Sequence, residues 1–285
     1  MGLITFSLFM IQPSTYFQPN ALVHWLSFMP QLEMLIIDFL LPISSHDMEQ
    51  QATRTPTMTP FTPVTNPNLR LFRLQGDGAY MEEVIRRINT PCLEWLEVEL
   101  LNDLTFPLPC LLHLIDTAKS LKFDSAEFIF SEDQVQIGMS LLDADSEGCA
   151  IRIHVTCCHF DRQVSSVAQI FNMAGKVFTS VENLTLMSRC RWPFQEHNGV
   201  DRTEWHKILR LFSNVKALHV HDGLIGDLSR CLRLEGGEDP SELLPELQEL
   251  VFPMRGYSTG ESDAFASFIN ARQNAGRPVT LVHRY

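Results

Sequence analysis

Imidazole and thiol groups crowd together at His154-Val155-Thr156-Cys157-Cys158-His159. Both are good zinc ligands, but the Cys-x2-Cys pairing with distant partners that structural zinc sites use is absent. Alternation along the run sets His154 opposite Ile153 and Val155 and returns Cys157 to the inward side. That pattern predicts a strand ending in small buried thiols rather than a metal site. A second group, Glu196, His197, Asp201 and His206, has residue types suited to acid–base or metal chemistry. No nucleophile accompanies it, and Asp201 with Glu204 three residues on reads as a helix N-cap and capping box. Gly76-Asp77-Gly78 lacks the further glycine and the Lys-Ser/Thr pair of a phosphate loop, so it reads as a turn before a helix. Asn183-Leu184-Thr185 fits the glycosylation pattern but falls inside a strand, with no secretion signal. No catalytic residue, metal or organic cofactor is predicted. An enzyme whose site is assembled from separate repeats would leave no linear signature and stays open as an alternative.

The elements that carry these residues follow a repeated phrase: an apolar residue, two free positions, an apolar residue, one free position, an apolar residue. It is clearest in Phe212-Ser213-Asn214-Val215-Lys216-Ala217-Leu218-His219-Val220. It recurs with starts at 32, 69, 93, 123, 150, 181, 215 and 247, at intervals of 24 to 37. The last two apolar positions stand two apart and share one face of a short strand. Helices are expected over 21–28 (capped by Asn20), 80–88, 163–178, 202–212 and 262–273, with a helical return after Pro107 and Pro109 and a last strand at 279–282. Such units bury their apolar side only against neighbours. The expected fold is therefore α/β: an irregular leucine-rich-repeat-like solenoid over 1–285, with parallel strands on one side and helices on the other. Residues 42–67, rich in Pro and Thr, read as an exposed insertion. The competing architecture is a doubly wound sheet.

Apolar residues make up 45% of the 285, which supplies a continuous core. A formal net charge of -12, with no basic block, excludes non-specific binding to nucleic acid or an anionic membrane. Seven cysteines are no disulfide framework and predict reduced, buried thiols in an intracellular setting, cytoplasmic or nuclear. The apolar run Leu3 to Ile11 has no basic flank and reads as a strand rather than a signal or anchor.

With the phrases in place, the chain resembles the leucine-rich-repeat-like region of F-box proteins from mushroom-forming (basidiomycete) fungi. The matching stretches include Met29-Pro30-Gln31-Leu32-Glu33, Gln163-Val164-Ser165-Ser166, Leu243-Leu244-Pro245-Glu246-Leu247 and the run Asn270 to Val279. The resemblance implies an F-box upstream of the repeats, docked on a Skp1-like adaptor of a ubiquitin ligase, and repeats that hold a substrate. No F-box pattern is found in Met1 to Met48, so a missing N-terminal F-box region is expected.

Strand parity then supplies the candidate surface. Arg73, Trp95, Glu97, Glu99, Glu127, Arg152, His154, Asn183, His219 and His221 point away from the buried leucines. Neighbouring strands set such side chains roughly 5 Å apart over a large area, which suits a protein partner. The expected function is non-enzymatic protein recognition, with a scaffold or degenerate repeat protein as the alternative.

Overall fold

The structure, a computed structural model, describes residues 3–12, 17–40, 63–101, 108–118, 121, 123–141, 149–171, 177–189, 201–234, 238–253 and 265–284. In chain order the first half contains β1 (Thr5–Ile11), α1 (Pro19–Ser27), β2 (Met34–Phe39), β3 (Val64–Thr65), β4 (Leu71–Gly76), α2 (Gly78–Ile85), β5 (Ile88–Asn89), β6 (Trp95–Leu100) and α3 (Pro109–Thr117). There follow β7 (Ser125–Phe130), β8 (Gln134–Ser140), β9 (Cys149–Thr156), α4 (Phe160–Phe171), β10 (Asn183–Ser188), α5 (Arg202–Leu209) and β11 (Ala217–Val220). The last described elements are α6 (Ile225–Leu232), β12 (Glu249–Pro253), α7 (Ala266–Asn274) and β13 (Thr280–Arg284). Two compact units result. One comprises Met1–Lys122 with Ala150–Thr156, the other Phe123–Cys149 with Cys157–Tyr285. Each is an open, solenoid-like arrangement of alternating strands and helices, with a sheet that does not close into a barrel.

In the first unit the strands run β1-β2-β4-β6-β9, all parallel. The phrase sets this order through the backbone. At each strand entry one carbonyl accepts two successive amides of the next strand: Ile4 from Glu33 and Met34, Glu33 from Arg70 and Leu71, Arg70 from Glu94 and Trp95, at 2.8–3.1 Å. Leu32, Leu69 and Leu93, which precede these entries, are buried, as are Leu35, Ile37, Phe72, Leu74, Leu96 and Val98 along the strands. β2, β4 and β6 alternate strictly between half-buried and buried positions, so one sheet face is covered and the other is open.

The helices cover that inner face with Leu22, Val23 and Leu26 of α1, Tyr80, Met81, Val84 and Ile85 of α2, and Leu111, Leu112 and Ile115 of α3. Pro19 occupies the first turn of α1 and Gln18 its N-cap, so Asn20 lies inside the helix instead of capping it. Asp77 caps α2 by accepting the amides of Ala79 and Tyr80, which gives the Gly76-Asp77-Gly78 turn its purpose. Gly76 itself is needed for room: a Cβ there would stand 2.9 Å from Phe39, whose ring packs edge-on to Tyr80. α3 has no capping side chain of its own. Buried Glu82 of α2 supplies the cap instead, accepting the amides of Cys110 at 2.8 Å and Leu111 at 2.9 Å.

The second unit is mixed, in the order β8-β7-β10-β11-β12-β13. The shared-carbonyl pattern returns: Asp124 accepts from Glu182 and Asn183, Glu182 from Lys216 and Ala217, Lys216 from Gln248 and Glu249. Its core is aromatic. Phe171 meets Phe178 at 4.7 Å, Phe178 meets Phe212 at 4.9 Å, and Phe130 meets Phe160 and Trp205 at 5.2 and 5.8 Å. Asp201 caps α5 through Thr203, while Glu204 turns to Lys207 Nζ at 2.6 Å. Buried Arg272 of α7 donates to the carbonyls of Pro240, Leu244, Pro245 and Leu247 at 3.0–3.3 Å. It thereby clamps the turn in which Leu244 adopts φ 50°.

Several expectations are corrected. The sheet is not parallel throughout, because β8 runs antiparallel to β7 after the tight turn 131–133, and so short a connection permits only that direction. The phrase at 150 is misplaced by two residues: Leu96 pairs with Ile151, not Ile153. A slip of two keeps every side chain on its own face, which is why the parity survives. The expected helix 80–88 ends at Ile85, and Ile88 pairs with Val64 in the two-stranded β3–β5 sheet. Of the insertion expected at 42–67, residues 42–62 lie outside those described. Asn66 is buried, and its amide nitrogen bonds the carbonyl of Met29 at 3.2 Å. Within each unit no strand order of the doubly wound type occurs among the described residues.

Two stability outcomes follow. Glu82→Ala strips α3 of its cap and lowers unfolding free energy by about 1–3 kcal/mol in urea titration. Arg272→Ala leaves four loop carbonyls short of a donor and a void behind, at a cost of about 3 kcal/mol by the same measurement.

Candidate functional site

The open face of the first unit gathers six of the ten candidate residues. Parallel register aligns them in rows across the strands. Met34, Leu71 and Trp95 form an apolar row. Next come Ile36, Arg73, Glu97 and Arg152, and then Asp38, Gln75, Glu99 and His154. Arg73 lies between two acids, its Nε 3.3 Å from Asp38 Oδ1 and its Nη1 3.7 Å from Glu97 Oε1. The Arg152 guanidinium covers the Trp95 ring at 5.4 Å from its centre. Asp38 and Gln75 obey the same parity as the six and complete the third row. They were legible in the sequence as the residues that follow the third apolar position of their phrases.

The charged side chains of this face are only partly in water. Asp38 and Glu97 retain 14% and 16% side-chain exposure against 36% for Arg73. Burial raises the proton affinities of the Asp38 and Glu99 carboxyls, with Arg73 opposing the shift in each. Burial likewise lowers the pKa of His154, favouring the neutral ring, and Glu97 opposes that shift. The face is a partly desolvated mixed-charge surface with an apolar margin.

The other four candidates, Glu127, Asn183, His219 and His221, lie in the second unit and are half-buried. Glu127, Thr185 and His219 share a row, but that row continues into Val251, which is buried. Ile129 and Ala217 also have outward parity and are buried. Alternation alone therefore overstated the open area here.

The metal-like residues do not converge. Among the described residues no group of three or more His, Cys, Asp or Glu side chains is placed to hold a metal ion. Cys157 is buried with its thiol 3.7 Å from the His159 carbonyl, and Cys158 is exposed. Cys92 is exposed too, so among the described thiols the expectation of burial holds for Cys157 and Cys231 and in part for Cys110. Cys92 and Cys158 lie in loops, beyond the reach of strand parity. Of the acid–base group, Glu196 and His197 lie outside the described residues. His206 bonds the Cys231 carbonyl at 3.0 Å, and Arg202 bonds the same carbonyl at 3.1 Å. These residues line a small hollow with Glu238, Asp239 and Phe268, of about 10 Å³, room for one water. Burial pushes the Cys231 thiol up to about 12, which keeps it protonated and unreactive.

No helix among the described residues is long and apolar enough to cross a membrane. No protein-family model matches the chain, and no curated protein matches it.

Because burial raises Glu99 above its ordinary 4.5, the folded chain holds a proton there that the unfolded chain has released. Glu99 thus makes stability fall as pH rises through that window, and its ionised form is a net cost above it. His154, lowered from 6.5, acts oppositely and withdraws stability as pH falls through its range. Glu99→Gln should raise the melting temperature at neutral pH, on the order of 1 °C, and bring little change at about pH 4. Paired thermal melts at the two pH values check it.

Proposed function

We propose that this chain is a non-enzymatic protein-recognition module and that its partner lies on the open sheet face of the first unit. The observation that carries the reading is the apolar row Met34–Leu71–Trp95 set beside the half-buried charges of Asp38, Arg73, Glu97, Glu99 and Arg152. Aromatic and arginine side chains anchor interfaces because each removes much surface from water and keeps directional contacts. The resemblance to leucine-rich-repeat-like regions of F-box proteins supports a more specific role as the substrate-holding part of such a protein. In that role an F-box upstream of the repeats would dock a Skp1-like adaptor.

Affinity capture from a fungal lysate tests the surface, using the native chain and a chain with Arg73→Ala, Trp95→Ala and Arg152→Ala together. Both must share one circular-dichroism spectrum. The expected result is a partner set recovered by the native chain and reduced about tenfold or more by the triple change. An identical set in undiminished yield would overturn the proposal. The Skp1-like adaptor is expected only when an F-box precedes the repeats.

A further inference from the structure

The three rows of the first unit's open face differ in charge, and the difference selects a class of partner. Arg73 is ion-paired with Asp38 and Glu97, and Arg152 lies over the Trp95 ring. Glu99 forms no ion pair among the described residues, and its row offers it only the amide of Gln75 and the His154 ring as strand neighbours. Three carboxylates (Asp38, Glu97 and Glu99) thus face two guanidinium groups (Arg73 and Arg152), an excess of one negative charge. Building on the recognition surface proposed above, we infer that the partner is a basic segment of another protein. It sets a lysine or arginine head group against Asp38, Gln75 and Glu99, and lays an apolar residue or the stem of that side chain along Met34, Leu71 and Trp95.

The geometry suits this occupant in two ways. A long basic side chain keeps its charge in the polar row while its methylenes lie over apolar surface, so one residue can satisfy both rows. Burial also raises the proton affinities of Asp38 and Glu99 by more than Arg73 lowers them, so their ionised forms gain from added positive charge. An incoming cation supplies that charge, whereas a neutral or acidic segment would desolvate the carboxylates further without return. The chain's formal net charge of -12 steers basic partners towards it from a distance.

The probe is a random-peptide display library selected on the immobilised full chain, followed by binding measurements with the strongest peptide made synthetically. Selected peptides should be enriched in Lys and Arg. Binding should weaken about tenfold or more when Asp38→Asn, Glu97→Gln and Glu99→Gln are combined, and also when salt is raised from about 0.05 to 0.5 M. The salt series uses the native chain and so stands even if the triple variant misfolds, and Glu99→Gln alone is the milder second variant. Peptides without basic enrichment that still lose binding on Arg73→Ala, Trp95→Ala and Arg152→Ala would overturn the basic-partner inference and leave the recognition surface intact. Peptides indifferent to both variant sets, or no peptides at all, would overturn both.

Discussion

One carbonyl at each strand entry, shared by two amides of the next strand, is the constraint on which both units depend. Ile4, Glu33 and Arg70 fill this role in the first unit, and Asp124, Glu182 and Lys216 in the second. The arrangement fixes register before any side chain is considered, and with register it fixes which residues share a row. The side chains at these positions add little. Arg70–Glu94 and Lys216–Glu182 are ion pairs about half exposed, of a kind that contributes modestly in water. Their backbone is what the sheet needs, and the buried residue just before Glu33, Arg70, Asp124, Glu182 and Lys216 (Leu32, Leu69, Phe123, Val181 and Val215) places that backbone.

Between the strands a different problem is solved. The return segments are irregular, so their carbonyls find no ladder partner, and polar side chains from neighbouring elements take them up. Asn66 reaches Met29, Gln163 reaches Ser131 and Cys157, Asn214 reaches Thr179, and Arg272 reaches four loop residues. Arg272 is the extreme case: a buried cation held by carbonyl dipoles, with burial lowering its pKa. An apolar side chain in that position would fill the space and leave the carbonyls unsatisfied, which is the larger loss.

Strand parity was legible from sequence because it depends only on a period of two. It placed Trp95, Glu97, Arg152 and His154 on the right face, even where the phrase at 150 was set two residues off. What lay beyond it was pairing between distant segments. Gln134-Val135-Gln136-Ile137 alternates plainly, yet nothing local says that it turns back on β7. Nor does anything local say that β9 joins β6. α6 was missed because its buried residues, Ile225, Leu228, Cys231 and Leu232, begin in the shadow of the strongest phrase. The open face in the second unit was overstated because Ile129 and Val251 follow the outward parity yet are covered by structure no alternation rule sees.

The pairing of Leu96 with Ile151 sets a timetable for the nascent chain. A ribosome that has released β6 and α3 has not yet made the strand that flanks β6, and must first produce the whole β7–β8 hairpin. Until β9 emerges, the exposed edge of β6 is a parallel-pairing template waiting for a distant segment, the slow and aggregation-exposed kind of closure. The row from Arg73 through Glu97 to Arg152 is therefore assembled late. A chain stopped before residue 150 would own most of the first unit's core and lack Arg152 and His154.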